Sequence, residues 1–452
     1  MTKMILSPFS ENITADGSNN LVSSNPTGAG GGGEPAGAVY VATTGNDSTG
    51  DGSIGSPWRT PEFGAKQLTS AGDALVIKAG TYVLDAANLP AGHTTTAKYI
   101  ALVSPPSNIS GTALNPIIIK AAIGETVLLD GGASPSWPTV GTNLGDYITI
   151  DGVNSRGSAI LWSVTGCIIK NCDLYGGIDT PVSNGGDNFG CVIRTENAVD
   201  CSIINNKLHD NQTGITQANS PLLIEYDTTN LVVEFNEVYN SVGIGLRFKD
   251  DPETIIVRNN FIHDNVWSGV QGSNQDLGNN IAIYNNVFLN NNTANDGGYG
   301  AISGLVDLDG WEIYNNTFYG NGVCDIRMLY DAATDYNIWN NVHNQAGDYY
   351  LSGFSSSGSL ISTVLTYSDY NNFFGGGSWQ SQSTVYANLS AFNTALSYDG
   401  NSVTTDPSFI NAGGTTPADY KRTSYTANGR GGAYEAVMGA YVDGTEQIGV
   451  DW

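Results

Sequence analysis

The sequence predicts an all-β solenoid, a right-handed parallel β-helix opened by a short capping helix. Three observations predict it. One eight-residue element recurs seven times between residues 167 and 343, at unequal steps. Apolar residues inside each copy alternate at period two, which marks a strand with one buried face. The chain also has 57 Gly and 23 Tyr in 452 residues and only 13% charged residues, against roughly 25% in an average globular domain. Ordinary globular chains of this length split into two or three domains. Coils that pack only on their neighbours escape that limit.

Residues 1–37 come first and differ from the rest. Ser, Asn, Thr and Gly dominate, ending in GAGGGGEP at 28–35. Alone, such a stretch reads as a flexible linker, an arm or an anchor. Held in place, it would contact a neighbouring subunit or a larger assembly. Met1 to Phe9 carries only a short apolar run, too short for the apolar region of a secretory signal. From residue 38 to 343 the pattern is that of the solenoid. A strand at 39–41 leads into the Gly/Asp turn GNDSTGDG at 45–52, then Thr60 and Pro61 read as the N-cap and first residue of a helix. That helix, stopped near Gly72 and Asp73, caps the open end and hides a sheet edge. The turn resembles half of a calcium loop, but Trp58 stands where the bidentate acid belongs, so no ion is placed there.

The repeated element reads CIIKNCDL (167–174), CSIINNKL (201–208), LVVEFNEV (231–238), IIVRNNFI (255–262), IAIYNNVF (281–288), WEIYNNTF (311–318) and YNIWNNVH (336–343). Its column Cys172, Asn206, Asn236, Asn260, Asn286, Asn316 and Asn341 advances by 34, 30, 24, 26, 30 and 25 residues. Asn tolerates left-handed backbone and its amide can bond the Asn of the next coil, giving a ladder. Helical repeats need 3.6 periodicity and leucine-rich repeats need Leu columns, and both are absent. Residues 344–452 read as late coils, loops and a closing segment around residues 405–410, 418–421 and 438–441.

The opening order of strand, Gly/Asp turn, short helix and AGTY strand, with the Asn column and the closing segment, resembles the parallel β-helices of the pectate-lyase superfamily. The resemblance spans about Val39 to Tyr441. It implies a ligand lying along an exposed sheet, contacted by outward side chains of successive coils. Residues 245–249 are similar to the Leu-Arg strand of alginate and chondroitin lyases of this fold, whose catalytic lysine stands one coil earlier, at Tyr226-Asp227 here. The Gly-His-Gly signature of polygalacturonases is missing.

A formal charge of −26, from 43 acidic and 17 basic residues, excludes nucleic acid as a partner. No stretch reaches the ~18 apolar residues of a membrane span. Five cysteines make no disulfide framework. Cys167 and Cys201 hold equivalent places and are expected to stack as small buried groups, a bridge between them being the alternative. The four histidines make no metal site by spacing; His209 and His263 follow equivalent positions and read as turn residues.

By alternation, Leu222, Ile224, Tyr226, Leu246 and Phe248 point inward. Glu225, Asp227, Arg247 and Lys249 point outward, joined on the same face by Arg194 with Glu196, Gln271 and Ser273, Asp307 and Asp309, and Arg327, Tyr330 and Asp331. Coils ~4.8 Å apart bring these together. Two outcomes are open: a salt-bridge ladder of Glu225 with Arg247 and Asp227 with Lys249, or a glycan site. In the latter, Arg247, Lys249, Glu225 and Asp250 are the catalytic candidates, and Arg194, Asp227, Gln271, Arg327, Tyr330 and Trp339 bind substrate. β-Elimination on a uronic-acid polymer needs a base, and Ca²⁺ or Arg to stabilise the enolate. Hydrolysis needs two carboxyls ~5 to 9.5 Å apart, which Glu225 with Asp250 or Asp251, or Asp307 with Asp309, could supply. Aromatic rings stack on pyranose faces; Trp267, Tyr299, Trp311, Tyr314, Trp339, Tyr349, Tyr350 and Trp379 are candidates, with Tyr314 and Trp339 outward at matching positions.

Together these readings give a polysaccharide-binding β-helix that resembles a phage tailspike. The resemblance implies an extracellular or virion-surface location, a homotrimer, and degradation of a surface glycan. A secreted bacterial polysaccharide lyase or hydrolase is the alternative, and a non-catalytic adhesin or structural virion protein the third. No cofactor is expected other than Ca²⁺ for elimination.

Overall fold

The computed structural model describes residues 33–83, 109–131, 138–140, 145–177, 191–211, 219–272, 280–304, 310–329, 336–354, 364–423, 429–430 and 439–440, with two further strands at Ile13–Ala15 and Leu21–Ser23. The body is a stack of coils, each contributing one short strand to each of three sheets. Among the described residues, sheet I has 12 strands, from Val39–Val41 to Leu365–Asp369. Sheet II has 11, from Gly80–Val83 to Asn372–Phe374, and sheet III has 11, from Pro138–Val140 to Thr384–Tyr386. Neighbours in each sheet are parallel and one coil apart, except for the last pair of sheet III, Ser378–Ser381 with Thr384–Tyr386, which is antiparallel. The interior is one continuous apolar column that includes Ile169, Ile203, Val233, Val257, Ile283, Ile313 and Ile338 from sheet I. Each such buried side chain contributes about 1.5–3 kcal/mol.

The Asn column forms the ladder its spacing predicts. Asn236 Oδ1 accepts from the Asn206 backbone N–H at 2.9 Å, Asn260 from Asn236 at 2.9 Å, and Asn286, Asn316, Asn341 and Asn371 repeat the contact at 3.0 Å. Each Nδ2 reaches back to a sheet I carbonyl, as Asn286 does to Val257 at 2.9 Å. The two asparagines of the motif divide the work. The first takes the left-handed backbone, at φ 55° in Asn205, Asn259 and Asn285, while the second, fully buried, builds the ladder. Phe235 and Tyr370 hold the first position in two coils at φ 57°, which costs a bulky side chain more than it costs Asn.

A second ladder, absent from the sequence reading, runs after sheet II. Asn265, Asn291 and Asn321 are fully or almost fully buried. Asn265 Nδ2 donates to Asn291 Oδ1 at 2.9 Å, and the Asn291 N–H donates to Asn321 Oδ1 at 2.9 Å. His209 and His263 are the last residues of the strands Lys207–His209 and Phe261–His263; the turns belong to the left-handed Asp210 and Asp264 that follow. The rings of Tyr175, His209, Tyr239 and His263 stack along sheet II at 4.6–5.4 Å.

Helix α1 (Pro61–Lys66) forms where Thr60 and Pro61 predict it, with Thr60 Oγ1 accepting from the Phe63 N–H at 3.4 Å. It plugs the interior: a Cβ on Gly64 would stand 2.6 Å from Val41 and 2.8 Å from Leu75. The exposed edge of sheet I is satisfied instead by the preceding loop, where the Ala42 N–H donates to Trp58 O at 2.9 Å and the Trp58 N–H to Tyr40 O at 3.0 Å. The 45–52 segment is a turn. Asp47 fixes the loop ahead of α1, accepting from the Arg59 and Thr60 N–H groups and from Thr60 Oγ1 at 2.7–3.1 Å. At the other end, helix α2 (Leu389–Leu396) is capped by Asn388 and stacks Phe392 on Trp379. The closing segment lies on the outer side of sheet II, where Phe409, Tyr420 and Ala440 cluster with Phe261, Val287, Leu289, Tyr319 and Val342. All five cysteines are free and buried, Cys167 and Cys201 among them. Among the described residues no helix is long and apolar enough to cross a membrane.

Candidate functional site

The lengths of the connections single out one sheet. From the coil of Ile168–Lys170 to that of Leu365–Asp369, two residues always separate sheet I from sheet II. Over the same coils the connections into sheet III vary from 3 residues (375–377) to 17 (176–192), and those out of it reach 10 (355–364). Insertions are tolerated where they do not disturb stacking, and function concentrates on such loops. Sheet III is the wall they flank.

Its strands pair residue for residue. Ile193, Leu222 and Leu246 are in register and face the core, so the next residue of each strand faces out. One outward column runs Arg194, Leu223, Arg247, Gln271, Ser303, Arg327, Ser352, Gln380. A second, two residues on, runs Trp162, Glu196, Glu225, Lys249. The predicted face therefore exists, and Arg194, Glu225, Arg247, Lys249, Gln271 and Arg327 share it.

The pairing within it differs from the predicted ladder. Glu225 lies in register with Lys249, and Arg247 with Leu223. The Glu225 carboxylate, with no exposed surface, meets Arg194 Nε on one oxygen and Lys249 Nζ at 3.9 Å on the other. Arg194 also reaches Glu196 at 3.1 Å, and Lys249 reaches Asp250 at 2.9 Å. The contacts to Glu225 are ion pairs without hydrogen-bond alignment. Burial pushes the Glu225 carboxyl above its usual range, against the pull of Arg194 and Lys249. Such a buried cluster sets geometry more than it adds stability, and breaking it is costly.

Further along, Arg327 Nη1 donates to Ser352 Oγ at 2.7 Å, and Ser352 Oγ to Gln380 Oε1 at 2.7 Å. Tyr299, packed edge-on against Trp267 at 5.0 Å, lies close enough to Arg247 for the guanidinium to oppose the rise that burial gives its hydroxyl pKa. Ser352 and Gln380 were not among the sequence candidates, although the 25-residue step from Asn316 to Asn341, counted forward from Arg327, finds Ser352.

Several expectations need correction. Trp339 belongs to sheet I, not sheet III; it is 1% exposed and covered by Arg430, whose guanidinium lies 5.1 Å from its ring. Tyr314 stacks on it at 4.7 Å and Tyr284 on Tyr314 at 4.7 Å, both within 6° of parallel, so the ring faces are spent on one another and not open to sugar. Asp227 lies in the turn beyond its strand, left-handed at φ 49° and exposed, rather than paired with Lys249. Tyr226, expected inside, is 40% exposed. Trp311 and Trp379 are core residues. Tyr330, Asp331, Ser273, Asp307 and Asp309 lie outside the described residues. Among those described, no three His, Cys, Asp or Glu side chains are placed to hold a metal ion.

Stacked parallel coils with one side-chain ladder per turn define the class: the chain is a right-handed parallel β-helix of pectate-lyase-like fold. A family model described as "Right handed beta helix region" matches residues 142–305. Among solved structures the chain is similar to pectate lyase Pel9A, at 16% identity and a TM-score of 0.58, over 90% of this chain and 96% of that one. Weaker likenesses include a rhamnogalacturonan lyase (13% identity, TM-score 0.44, 82% and 90% covered) and PfbA, a surface adhesin of Streptococcus pneumoniae (14%, 0.41, 70% and 82%). No curated protein matches the sequence.

Proposed function

We propose that the protein binds an acidic polysaccharide along the outward side of sheet III, as an extracellular or virion-surface glycan-recognition β-helix. One observation carries the reading. Four of the 17 basic residues, Arg194, Arg247, Lys249 and Arg327, line this one wall of a chain with a formal charge of −26. Arg194 and Arg247 are two coils apart and Arg247 and Arg327 three, about 10 and 14 Å at ~4.8 Å per coil. That spacing suits carboxylates repeated along an extended glycan, and guanidinium is the group that pairs with them best.

Recognition fits the geometry better than cleavage. Lys249 lies between Glu225 and Asp250 and is ion-paired to both, which commits its nitrogen and leaves it poorly placed to act as a base. Glu225 has both oxygens committed to cations, so it is a poor general acid for hydrolysis. The reading of a tailspike-like depolymerase rests on the arm of residues 1–37, whose end is fastened by Glu34 to Lys120 at 2.8 Å and to the Ile123 N–H at 2.7 Å.

The test is a panel of polygalacturonate, alginate, hyaluronate and neutral dextran, scored for binding by affinity electrophoresis and for products by ultraviolet absorbance and reducing ends. Wild type is expected to be retarded by an acidic member and Arg247→Ala to lose at least tenfold in affinity. Equal binding by Arg247→Ala would remove sheet III from the account. Unsaturated products would add elimination to recognition, and reducing ends alone would add hydrolysis.

A further inference from the structure

We infer that Tyr226 is a sugar-stacking platform at the rim of the sheet III wall, taking the apolar face of a pyranose whose carboxylate is read by the neighbouring cations. The inference rests on the glycan-binding reading and adds a subsite to it. Among the described residues Tyr226 is the one aromatic side chain left exposed, at 40%. It directly follows Glu225, which has no exposed surface.

It leads the turn out of sheet III, and that turn is one residue longer than those before it. Ala159 lies 13 positions before Cys172 and Ile193 13 before Asn206, but Leu222 lies 14 before Asn236 and Leu246 14 before Asn260. The earlier coils turn out of sheet III on one left-handed residue, Ser163 or Asn197. The later two turn on a left-handed pair, Tyr226-Asp227 at φ 46° and 49° and Asp250-Asp251 at 53° and 61°. Thr228 then returns to the interior beside Ala198. Ser163 is exposed at the matching place in a turn without the extra residue, so the ring faces out because it leads the turn, and the extra residue, Asp227, lengthens that turn beside it.

Asn, Asp and Gly suit such a turn; Tyr does not. A bulky residue held at positive φ is strained, and while Phe235 and Tyr370 carry such strain within the stack, at an exposed rim it is a feature of ligand sites. Packing does not use the ring up, because 40% of the residue stays exposed. Lys249 Nζ lies 5.6 Å from the ring centroid, so the ring is steered by the same ammonium that pairs with Glu225, and its remaining surface faces solvent. An aromatic ring beside convergent charged groups is the make-up of a carbohydrate subsite.

The experiment uses the full chain and four variants, Tyr226→Ala, Tyr226→Phe, Tyr226→Asn and Arg247→Ala, with the same polysaccharide panel and a thermal melt. Tyr226→Ala is expected to weaken binding of the acidic glycan about tenfold, while Tyr226→Phe, which keeps the ring, binds as wild type. Tyr226→Asn is expected to lose the same affinity yet melt higher, because Asn relieves the backbone. If Tyr226→Ala binds normally while Arg247→Ala does not, the platform is refuted and the glycan reading stands. Wild type binding none of the panel, or both alanine variants binding normally, defeats both. A lower melt for Tyr226→Asn would show that the ring supports the fold and would overturn the inference.

Discussion

Replacing Asn286 by Ala probes what holds one coil to the next. Its Oδ1 accepts from the Asn260 backbone N–H and from Asn260 Nδ2, both at 3.0 Å. Its Nδ2 donates to Val257 O at 2.9 Å, Tyr284 O at 3.0 Å and Asn316 Oδ1 at 3.0 Å. Truncation leaves the Asn260 N–H buried with no acceptor, worth about 1–3 kcal/mol, and removes two further bonds worth about 1 kcal/mol each. The expected loss is therefore about 3–5 kcal/mol. Cys172 supplies the control. It stands at the start of the same column, where its thiol donates to Lys170 O at 3.0 Å and the Asn206 amide still reaches its backbone N–H. Cys172→Ala removes one small buried group, for about 1 kcal/mol. Solenoids open locally, so the assay is native-state hydrogen exchange of peptides covering 255–290. Asn286→Ala should lower protection there by roughly two to four orders of magnitude. A loss under tenfold, or one no larger than that of Cys172→Ala around its own coil, would refute the view that the amide ladder holds the coils together.

Further predictions follow from the same geometry. Phe235→Asn relieves a bulky residue at φ 57° and should stabilise the chain by about 1 kcal/mol, read as a higher melting temperature; a drop would mean its ring packs for more than the backbone costs. Burial works against a charged His263, but hydrogen bonds to Asp264 at 2.8 Å and Glu237 at 3.2 Å outweigh it and raise its pKa. Its contribution is thus complete below the unfolded value of about 6.5 and fades as pH rises through the folded one. His263→Gln should flatten the fall in melting temperature across that window, and an unchanged slope would contradict this. Glu225→Ala removes the buried carboxylate that Arg194 and Lys249 share, leaving them Glu196 and Asp250, and should cost about 3 kcal/mol, the low end for a broken buried pair, so a loss of binding in that variant must be read beside its melt. With every cysteine free, a thiol reductant should leave the melting temperature unchanged, and alkylation should require unfolding.

Much of this was legible beforehand, for definite reasons. The Asn column could be placed because one motif performs one task in every coil, and alternation at period two fixed which side of each strand faces the core. The ion pairing was also available but misjudged. The 24-residue step from Asn236 to Asn260, applied to the strand before it, puts Glu225 beside Lys249, as found. The second ladder was legible as well: Asn265, Asn291 and Asn321 each stand five residues after Asn260, Asn286 and Asn316, a constant offset that attention to the first column alone passed over. Tyr226 was misplaced because alternation was extended past the end of its strand, into a turn one residue longer than those before it. Trp339 was assigned by residue type; alternation gave its outward direction correctly, but not the Arg430 side chain from 91 residues away that covers it.

The central claim is that a glycan lies along sheet III, and hydrogen exchange with and without an acidic polysaccharide locates it. Slower exchange is expected in Ile193–Glu196, Leu222–Glu225, Leu246–Lys249 and Val270–Gly272, with the Asn turns between sheets I and II unchanged. Protection confined to sheets I and II, with these four strands unaffected, would contradict the account.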